Sequence, residues 1–194
     1  MLPRRAIVWA GIFALATNSV AAAEPWSPRA DCPFVPSGDN RLPPEAQTAL
    51  VDLDIEHRIT QTLNSRKTAS NYHGPDMTLK GRNYTAAVDL SVRCLDASSI
   101  KRLLSQLANH GFAAWYRENG KDGWKGANHI HAVWAAEPLK PQLRDQIKSW
   151  LNGRTGLVGN GKYEFWQPSS EELLKVSAQY EASKALLPGD KGAK

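Results

Sequence analysis

Hydrophobic and polar residues follow two patterns along the chain, one with the period of a helix and one with the period of a strand. Segments with apolar residues at every third or fourth position are predicted to be amphipathic helices. They are residues 44–64, 98–110, 138–151 and 169–187. Short stretches rich in apolar, aromatic and β-branched residues are predicted to be strands. They are residues 84–92, 112–117 and 128–135, with a strand or extended segment at residues 163–166.

The order of these elements predicts the fold class. Helices and strands that succeed one another without a regular βαβ alternation indicate an α+β fold, in which helices pack against a small and mainly antiparallel sheet. No internal repeat and no linker interrupts residues 44–187, which we expect to form one domain. The polar segment at residues 65–83 reads as a long loop, and loops of that length are often functional.

The two ends of the chain are predicted to lie outside this domain. Residues 1–23 combine a basic start, an apolar run and three alanines, which is typical of a secretory signal peptide. The apolar run is too short to span a bilayer, so we expect export without a membrane span, to the periplasm or the exterior. Residues 24–43, rich in Pro, Ser and Gly, predict an extended arm, and residues 188–194 predict a frayed tail.

Composition and charge indicate a globular protein and limit the kinds of partner it is expected to bind. The chain has 194 residues, of which 42% are hydrophobic and 22% are charged, as in an ordinary globular protein. Without Arg4 and Arg5 of the leader, 22 basic residues stand against 19 acidic residues. Such a small excess gives no reason to expect a nucleic-acid partner, whereas it is compatible with an anionic polymer such as a bacterial cell wall.

The two cysteines are Cys32 in the arm and Cys94 near the end of a predicted strand. In an oxidising compartment an even number of cysteines favours a disulfide, which would fasten the arm to the domain. Two buried free thiols are the alternative.

Histidines and one aspartate form the candidate chemical site. His129 and His131 are two positions apart on a predicted strand, so both imidazoles face the same side of the sheet. Asp89 interrupts an otherwise apolar strand, and His73 precedes it in the polar segment. Two imidazoles and one carboxylate with an open fourth position form a common catalytic zinc site. Paired surface histidines and a structural carboxylate are the alternative interpretation.

This arrangement resembles the zinc metallopeptidases that include D-Ala-D-Ala peptidases, peptidoglycan endopeptidases and the hedgehog signalling domain. The matching text is YTAAVDL at residues 84–90, IKRLLSQLANHGF at residues 100–112, Trp124, and the H-x-H of residues 129–131. The resemblance covers residues 71–133. It implies the hedgehog-like α+β fold, a bound zinc ion, hydrolysis of peptide bonds and a peptidoglycan stem peptide as substrate. We expect the protein to act as a monomer.

The resemblance also implies roles for individual residues. His73, Asp89 and His131 would hold the zinc ion, and His129 would move a proton or stabilise the oxyanion. A peptidase of this type also needs a base and groups that bind its substrate. The further candidates are Glu118 as a second base, Arg66 and Arg82 for a substrate carboxylate, and Trp124 for stacking against the substrate.

One departure from the family pattern leaves alternatives open. His73 and Asp89 are sixteen positions apart, farther than in the family, and Arg82 occupies the position where the shorter spacing would place the histidine. Either a loop insertion separates the two ligands, or the site has lost its metal. The second case predicts a non-catalytic protein that binds the cell wall or a partner. A histidine-based phosphoesterase or nuclease is a third possibility, although the basic stripe expected of a nucleic-acid enzyme is missing.

Overall fold

The computed structural model describes residues 40–64, 72–136 and 138–184. The predicted α+β class, with a small antiparallel sheet and helices, is confirmed. The strands are Ile59–Gln61 (β1), Met77–Leu79 (β2), Arg82–Tyr84 (β3), Ala87–Ser91 (β4), Phe112–Arg117 (β5) and His129–Trp134 (β6). The α-helices are Pro44–Asp52 (α1), Ala97–Asn109 (α2), Pro141–Leu151 (α3) and Ser170–Lys184 (α4).

The main sheet has four antiparallel strands in the order β1-β4-β6-β5. Every residue of β5 and β6 is buried, and β4 is buried except for the partly exposed Asp89. This confirms the expectation that Asp89 lies within an apolar strand. Helix α2 packs on β5, whereas α3 contacts both β5 and β6.

Helix α2 forms as its sequence predicts. Asp96 caps its first turn, with Oδ1 accepting a hydrogen bond from the backbone N–H of Ser99 at 2.7 Å. Its apolar stripe is buried, and the helix ends before Gly111, whose φ of 88° is easily adopted only by glycine. The buried stripe is Ile100, Leu103, Leu104 and Leu107.

The prediction of one long helix over residues 44–64 is wrong in its second half. Helix α1 ends at Asp52, and Asp54 adopts a left-handed conformation with φ of 53°. A short 3₁₀ helix, Glu56–Arg58, then leads into β1. The helical spacing of apolar residues continues across this break, but the pairing of Ile59 and Gln61 with β4 outweighs it.

The prediction that residues 65–83 form only a loop is also wrong for its second part. Strands β2 and β3 form an antiparallel hairpin that does not join the main sheet. Its two-residue turn is Lys80-Gly81, with φ of 49° and 76°, as a type I′ turn requires. These strands pair with each other and remain largely exposed. Their polar sequence therefore lacks the apolar pattern from which a buried strand is predicted.

The last aromatic segment is irregular rather than a strand. Near it, only an isolated bridge between Arg154 and Lys162 is found in the described part of the chain. Tyr163 is buried, and its hydroxyl accepts a hydrogen bond from the backbone N–H of Tyr116 at 2.8 Å. Side-chain burial therefore fixes this segment without a ladder of backbone hydrogen bonds.

Several predictions concern residues outside the described part. The signal peptide of residues 1–23, most of the arm of residues 24–43 and the tail of residues 188–194 remain predictions. The same holds for the disulfide, because Cys32 lies outside the described residues, although Cys94 is not a free cysteine. Within the described ranges, no helix has the length and apolar character needed to cross a membrane.

Candidate metal centre

The register of the sheet brings the candidate residues onto one face. Directly opposed residues of antiparallel strands point to the same side, so two adjacent rows of side chains cross the sheet. One row is Gln61, Asp89, His131 and Trp115, and the next is Ser91, His129 and Arg117. The predicted H-x-H pair thus faces the same side as Asp89.

His73 reaches this face from the start of the described range 72–136. The segment is held by Asp76, whose fully buried carboxylate accepts hydrogen bonds from the backbone N–H groups of Ala86 and Lys140 at 2.8 and 2.9 Å. The Lys140 ammonium lies 3.6 Å from the same carboxylate and also donates to the carbonyl of Gly74. These contacts join the segment to the start of β4 and to the start of α3.

The hairpin explains the long spacing between the first two candidate ligands, His73 and Asp89. Residues 77–84 leave the sheet as β2 and β3 and return at the start of β4. His73 therefore lies beside Asp89, with Nε2 and Oδ2 separated by 3.2 Å. The extra residues lengthen the chain between the ligands without separating their side chains.

The three candidate ligands have the geometry of a small cation site. One ligand atom each from His73, Asp89 and His131 can be chosen so that all lie within 4.8 Å of one another. Nδ1 of His131 lies 2.8 Å from Oδ1 of Asp89. In a tetrahedral zinc site with bonds of about 2.1 Å, neighbouring ligand atoms are about 3.4 Å apart. The distances from Asp89 to His131 and to His73, 2.8 and 3.2 Å, lie within about 0.6 Å of that spacing.

Each imidazole has one nitrogen fixed as a donor by an oxygen that can only accept. Nδ1 of His73 faces the carbonyl oxygen of Thr62 at 2.8 Å, and Nδ1 of His129 faces that of Ala127 at 2.9 Å. Nε2 of His131 faces the side-chain oxygen of Gln146 at 3.0 Å. These hydrogen bonds determine the tautomers, as the outer hydrogen bonds of metal-binding histidines do.

The other nitrogen of each ring consequently turns a lone pair toward Asp89. Nε2 of His73, Nδ1 of His131 and Nε2 of His129 lie 3.2, 2.8 and 3.6 Å from its carboxylate oxygens. Lone pairs at such distances repel one another and the carboxylate unless a proton or a metal ion lies between them. The donor set of nitrogen and oxygen atoms is one that zinc prefers, so the residues fit this ion.

Burial and hydrogen bonding shift the ionisation of this cluster. Burial raises the pKa of Asp89, but hydrogen bonds from His131 and His73 together outweigh that effect and hold it well below its usual range. Burial lowers the pKa of His131, against the opposing effect of Asp89. A charged carboxylate beside a neutral imidazole is the ionisation state that binds a divalent cation.

A cavity of about 150 Å³ opens beside the cluster. His129 and Trp124 line it, and their rings meet edge to face with centroids 4.8 Å apart. The rings of Tyr72 and Trp115 lie beside the ring of His131, with centroids 6.2 and 6.0 Å from it. The structure thus brings His73, Asp89, His131, His129 and Trp124 together.

Three other candidates lie elsewhere or cannot be placed. Glu118 lines a separate cavity with Tyr116 and Asp122, because it follows Arg117 and so turns to the opposite side of the strand. Arg82 is exposed on the hairpin, in β3. Arg66 lies outside the described residues. Glu118 and Arg82 therefore have no part in the mechanism proposed below.

Sequence reasoning missed two residues of the site. Arg117 lines the cavity from the end of β5, and alternation from Trp115 to residue 117 was the available signal. Gln146 lies on α3 and reaches His131 only through the packing of that helix on the sheet. The available signal was helical spacing, because Gln146 lies three positions after Leu143 and four before Trp150, on the buried face of α3.

Comparison of the whole chain with protein-family models, with curated proteins and with solved structures finds no match in any of the three. The resemblance to the zinc peptidases rests on the residues quoted above.

Proposed function

We propose that the protein is an exported zinc-dependent hydrolase that cleaves peptide bonds in the stem peptides of cell-wall peptidoglycan. The fold proposed with it is the hedgehog and D-Ala-D-Ala-peptidase type. One observation carries the proposal: three imidazoles, each with its outer nitrogen occupied by a carbonyl oxygen, direct their inner nitrogens at a single carboxylate. Such an arrangement favours a bound cation.

In this proposal His73, Asp89 and His131 hold the zinc ion. A zinc ion there supplies a Lewis acid that polarises a peptide carbonyl and lowers the pKa of a water molecule. Thr62 and Gln146 keep the two histidine ligands in the correct tautomer through the hydrogen bonds described above. Both ligand histidines are buried, so bulk water has little access to the nitrogen atoms that would bind the metal.

His129 is the residue that handles the proton. Its Nδ1 donates to the carbonyl of Ala127, so Nε2 is free to accept a proton on the cavity side. Once it has accepted that proton, the same atom can donate to the leaving amine or to the oxygen of the attacked carbonyl. Trp124 contacts the His129 ring and limits its rotation.

The substrate class is inferred from the cavity together with the sequence. The cavity has aromatic walls from Trp124 and Tyr72, which suit a peptide or sugar surface. The predicted signal peptide and the mild positive charge of the mature chain favour an extracytoplasmic, anionic polymer. The alternative of a non-catalytic binder drew its support from the long His73 to Asp89 spacing, which the hairpin accommodates.

The test begins with metal content. Purified mature protein should contain one equivalent of zinc, or take it up after treatment with a chelator, and His131→Ala should lose it. His110→Ala is the matched control, because His110 ends α2 and bonds the carbonyl of Gln106 away from the cavity. The zinc-loaded protein is then incubated with purified peptidoglycan, and the fragments are identified by mass spectrometry.

Cleavage of stem peptides that requires both zinc and His131 would support the proposal. Stoichiometric zinc without any cleavage would indicate a binding protein, and hydrolysis of a phosphoester substrate in place of peptides would favour the phosphoesterase alternative. A protein that takes up no zinc and leaves the stem peptides intact would contradict the proposal.

A further inference from the structure

Arg117 is a buried cation without a hydrogen-bond partner for its terminal nitrogens. Its side chain is only 2% exposed, yet neither Nη1 nor Nη2 has a partner among the described residues. A guanidinium group normally makes several hydrogen bonds, and leaving it unpaired in a buried position is costly. A side chain held in this way calls for a ligand that is not part of the described chain.

Arg117 lies against Trp115 and remains charged despite its burial. The guanidinium carbon lies 4.9 Å from the centre of the Trp115 ring, an arrangement that favours a cation over an aromatic face. Burial lowers the pKa of Arg117 to about 10, so the group remains positive at neutral pH. Asp89 and Asp122 influence it through space, but neither forms an ion pair with it in the described structure.

Arg117 lines the same cavity as the candidate metal ligands. His73, Asp89 and His129 also line it, and Arg117 lies directly opposite His129 in the register of β5 and β6. With zinc bound, the charge of Asp89 is offset by the metal. The cavity then has an excess of positive charge and attracts an anion.

We propose that Arg117 binds a carboxylate of the substrate next to the scissile peptide bond. The assignment rests on the proposed peptidase function for the identity of the anion. A guanidinium group matches a carboxylate with two parallel hydrogen bonds, whereas a peptide backbone supplies no negative charge. This carboxylate is either the free end of the peptide or an acidic side chain, and the experiment separates the two.

The size of the cavity favours the free end of the peptide. A space of about 150 Å³ holds a molecule of roughly the size of benzene, which is comparable to one small amino-acid residue. Since Arg117 is almost fully buried, a chain passing through the cavity would have to continue beyond it. Arg117 would accordingly select carboxypeptidase substrates over internal bonds.

The first measurement compares matched substrates of the zinc-loaded protein. One peptide ends in a free carboxylate, a second is its carboxyl-terminal amide, and a third is the amide with an acidic side chain at the last residue. We expect kcat/KM for the free acid to exceed that for the simple amide by about 50-fold, the range of a charged hydrogen bond. Restored activity on the third peptide would assign the carboxylate to a side chain.

Variants of Arg117 test whether this residue is the origin of the preference. Arg117→Met should remove most of the acid-over-amide ratio, and Arg117→Lys should retain part of it, since it keeps the charge but loses the planar pair of donors. Arg102→Met, on the exposed surface of α2, is the matched control and should keep the full ratio. A ratio unchanged in Arg117→Met would overturn the proposal.

A second measurement does not depend on activity. Asp89→Asn protein, in which an uncharged amide replaces the carboxylate whose charge zinc would offset, is titrated with propionate and with propionamide, and the fluorescence of Trp115 beneath the guanidinium reports binding. Propionate should give a saturable change that Arg117→Met abolishes and Arg117→Lys weakens, and propionamide should give none. If both compounds act alike, or if the change survives in Arg117→Met, the carboxylate site is refuted.

The two proposals can fail separately. Propionate binding through Arg117 in a protein that neither takes up zinc nor cleaves peptides would contradict the proposed function and leave the anion site standing. Zinc-dependent cleavage of acid and amide at equal rates, with no propionate binding, would contradict the anion site and leave the peptidase standing.

Discussion

Nε2 of His73 lies 3.2 Å from Oδ2 of Asp89, although the two residues are sixteen positions apart and a complete hairpin intervenes. The contact exists because Asp76 fastens the segment after His73 to the backbone at Ala86 and Lys140. The hairpin of residues 77–84 lies between Asp76 and Ala86, so its length does not affect this contact. Chain length between two ligands is thus a poor guide to their distance when the intervening residues form their own closed unit.

Asp89→Asn should abolish zinc binding while the fold remains. The amide keeps the shape of the carboxylate and can donate a hydrogen bond to one of the imidazole lone pairs, so we expect the metal-free variant to fold. At a zinc concentration 100 times Kd, the free energy of unfolding of the wild type should rise by about 2.7 kcal/mol, and that of the variant should not change. Thermal unfolding with and without a chelator measures both quantities. Equal stabilisation of the two proteins by zinc would show that Asp89 is not a ligand.

Gln146→Leu should weaken zinc binding without removing a ligand. The change deletes the acceptor of the His131 Nε2–H group, so the ring is no longer held with Nδ1 toward the metal, and an outer partner of this kind is worth about 10- to 100-fold in affinity. Gln146→Glu, which keeps an acceptor there, should bind zinc at least as well as the wild type. Competition with a chromophoric chelator gives the affinities. The assignment fails if the Leu and Glu variants bind zinc equally tightly.

His129→Ala should separate catalysis from metal binding. His129 is the proposed proton carrier rather than a ligand, so zinc content should remain at one equivalent while kcat falls by about 10²- to 10⁴-fold. Metal analysis and single-turnover peptide cleavage on the same preparation test this. Loss of zinc together with activity would instead make His129 a fourth ligand, consistent with its 3.6 Å distance from Asp89.

The cap of α2 should make stability depend on pH in the acid range. Hydrogen bonds from the backbone and side chains of Ser99 and Ser98 lower the pKa of Asp96 to about 2. An unfolded aspartate titrates near 3.9, so the cap stabilises the fold fully above about pH 4 and loses that effect as the pH falls toward 2. Asp96→Asn keeps a capping acceptor that does not titrate. The Tm of the wild type should therefore fall relative to the Tm of this variant between pH 4 and pH 2. A Tm difference that stays constant over this range would contradict the role of Asp96 as a titrating cap.

The sequence by itself determined the elements whose pattern is local. The stripe of α2, the strands β5 and β6 and the position of Asp89 in β4 follow from periodicity, because the core they enter is built from their own apolar residues. The shared face of His129 and His131 follows from the two-residue period of a strand.

Only the tertiary structure decided the rest, because it depends on contacts between distant segments. The end of α1 and the start of β1 were decided by pairing with β4, and the hairpin by a turn whose strands bury little. The outer hydrogen bonds from Thr62 and Gln146, and the unpartnered guanidinium of Arg117, arise where separate elements meet. Periodicity reports which side chains are buried, whereas the chemistry of a buried polar group is set by the neighbours that folding brings to it.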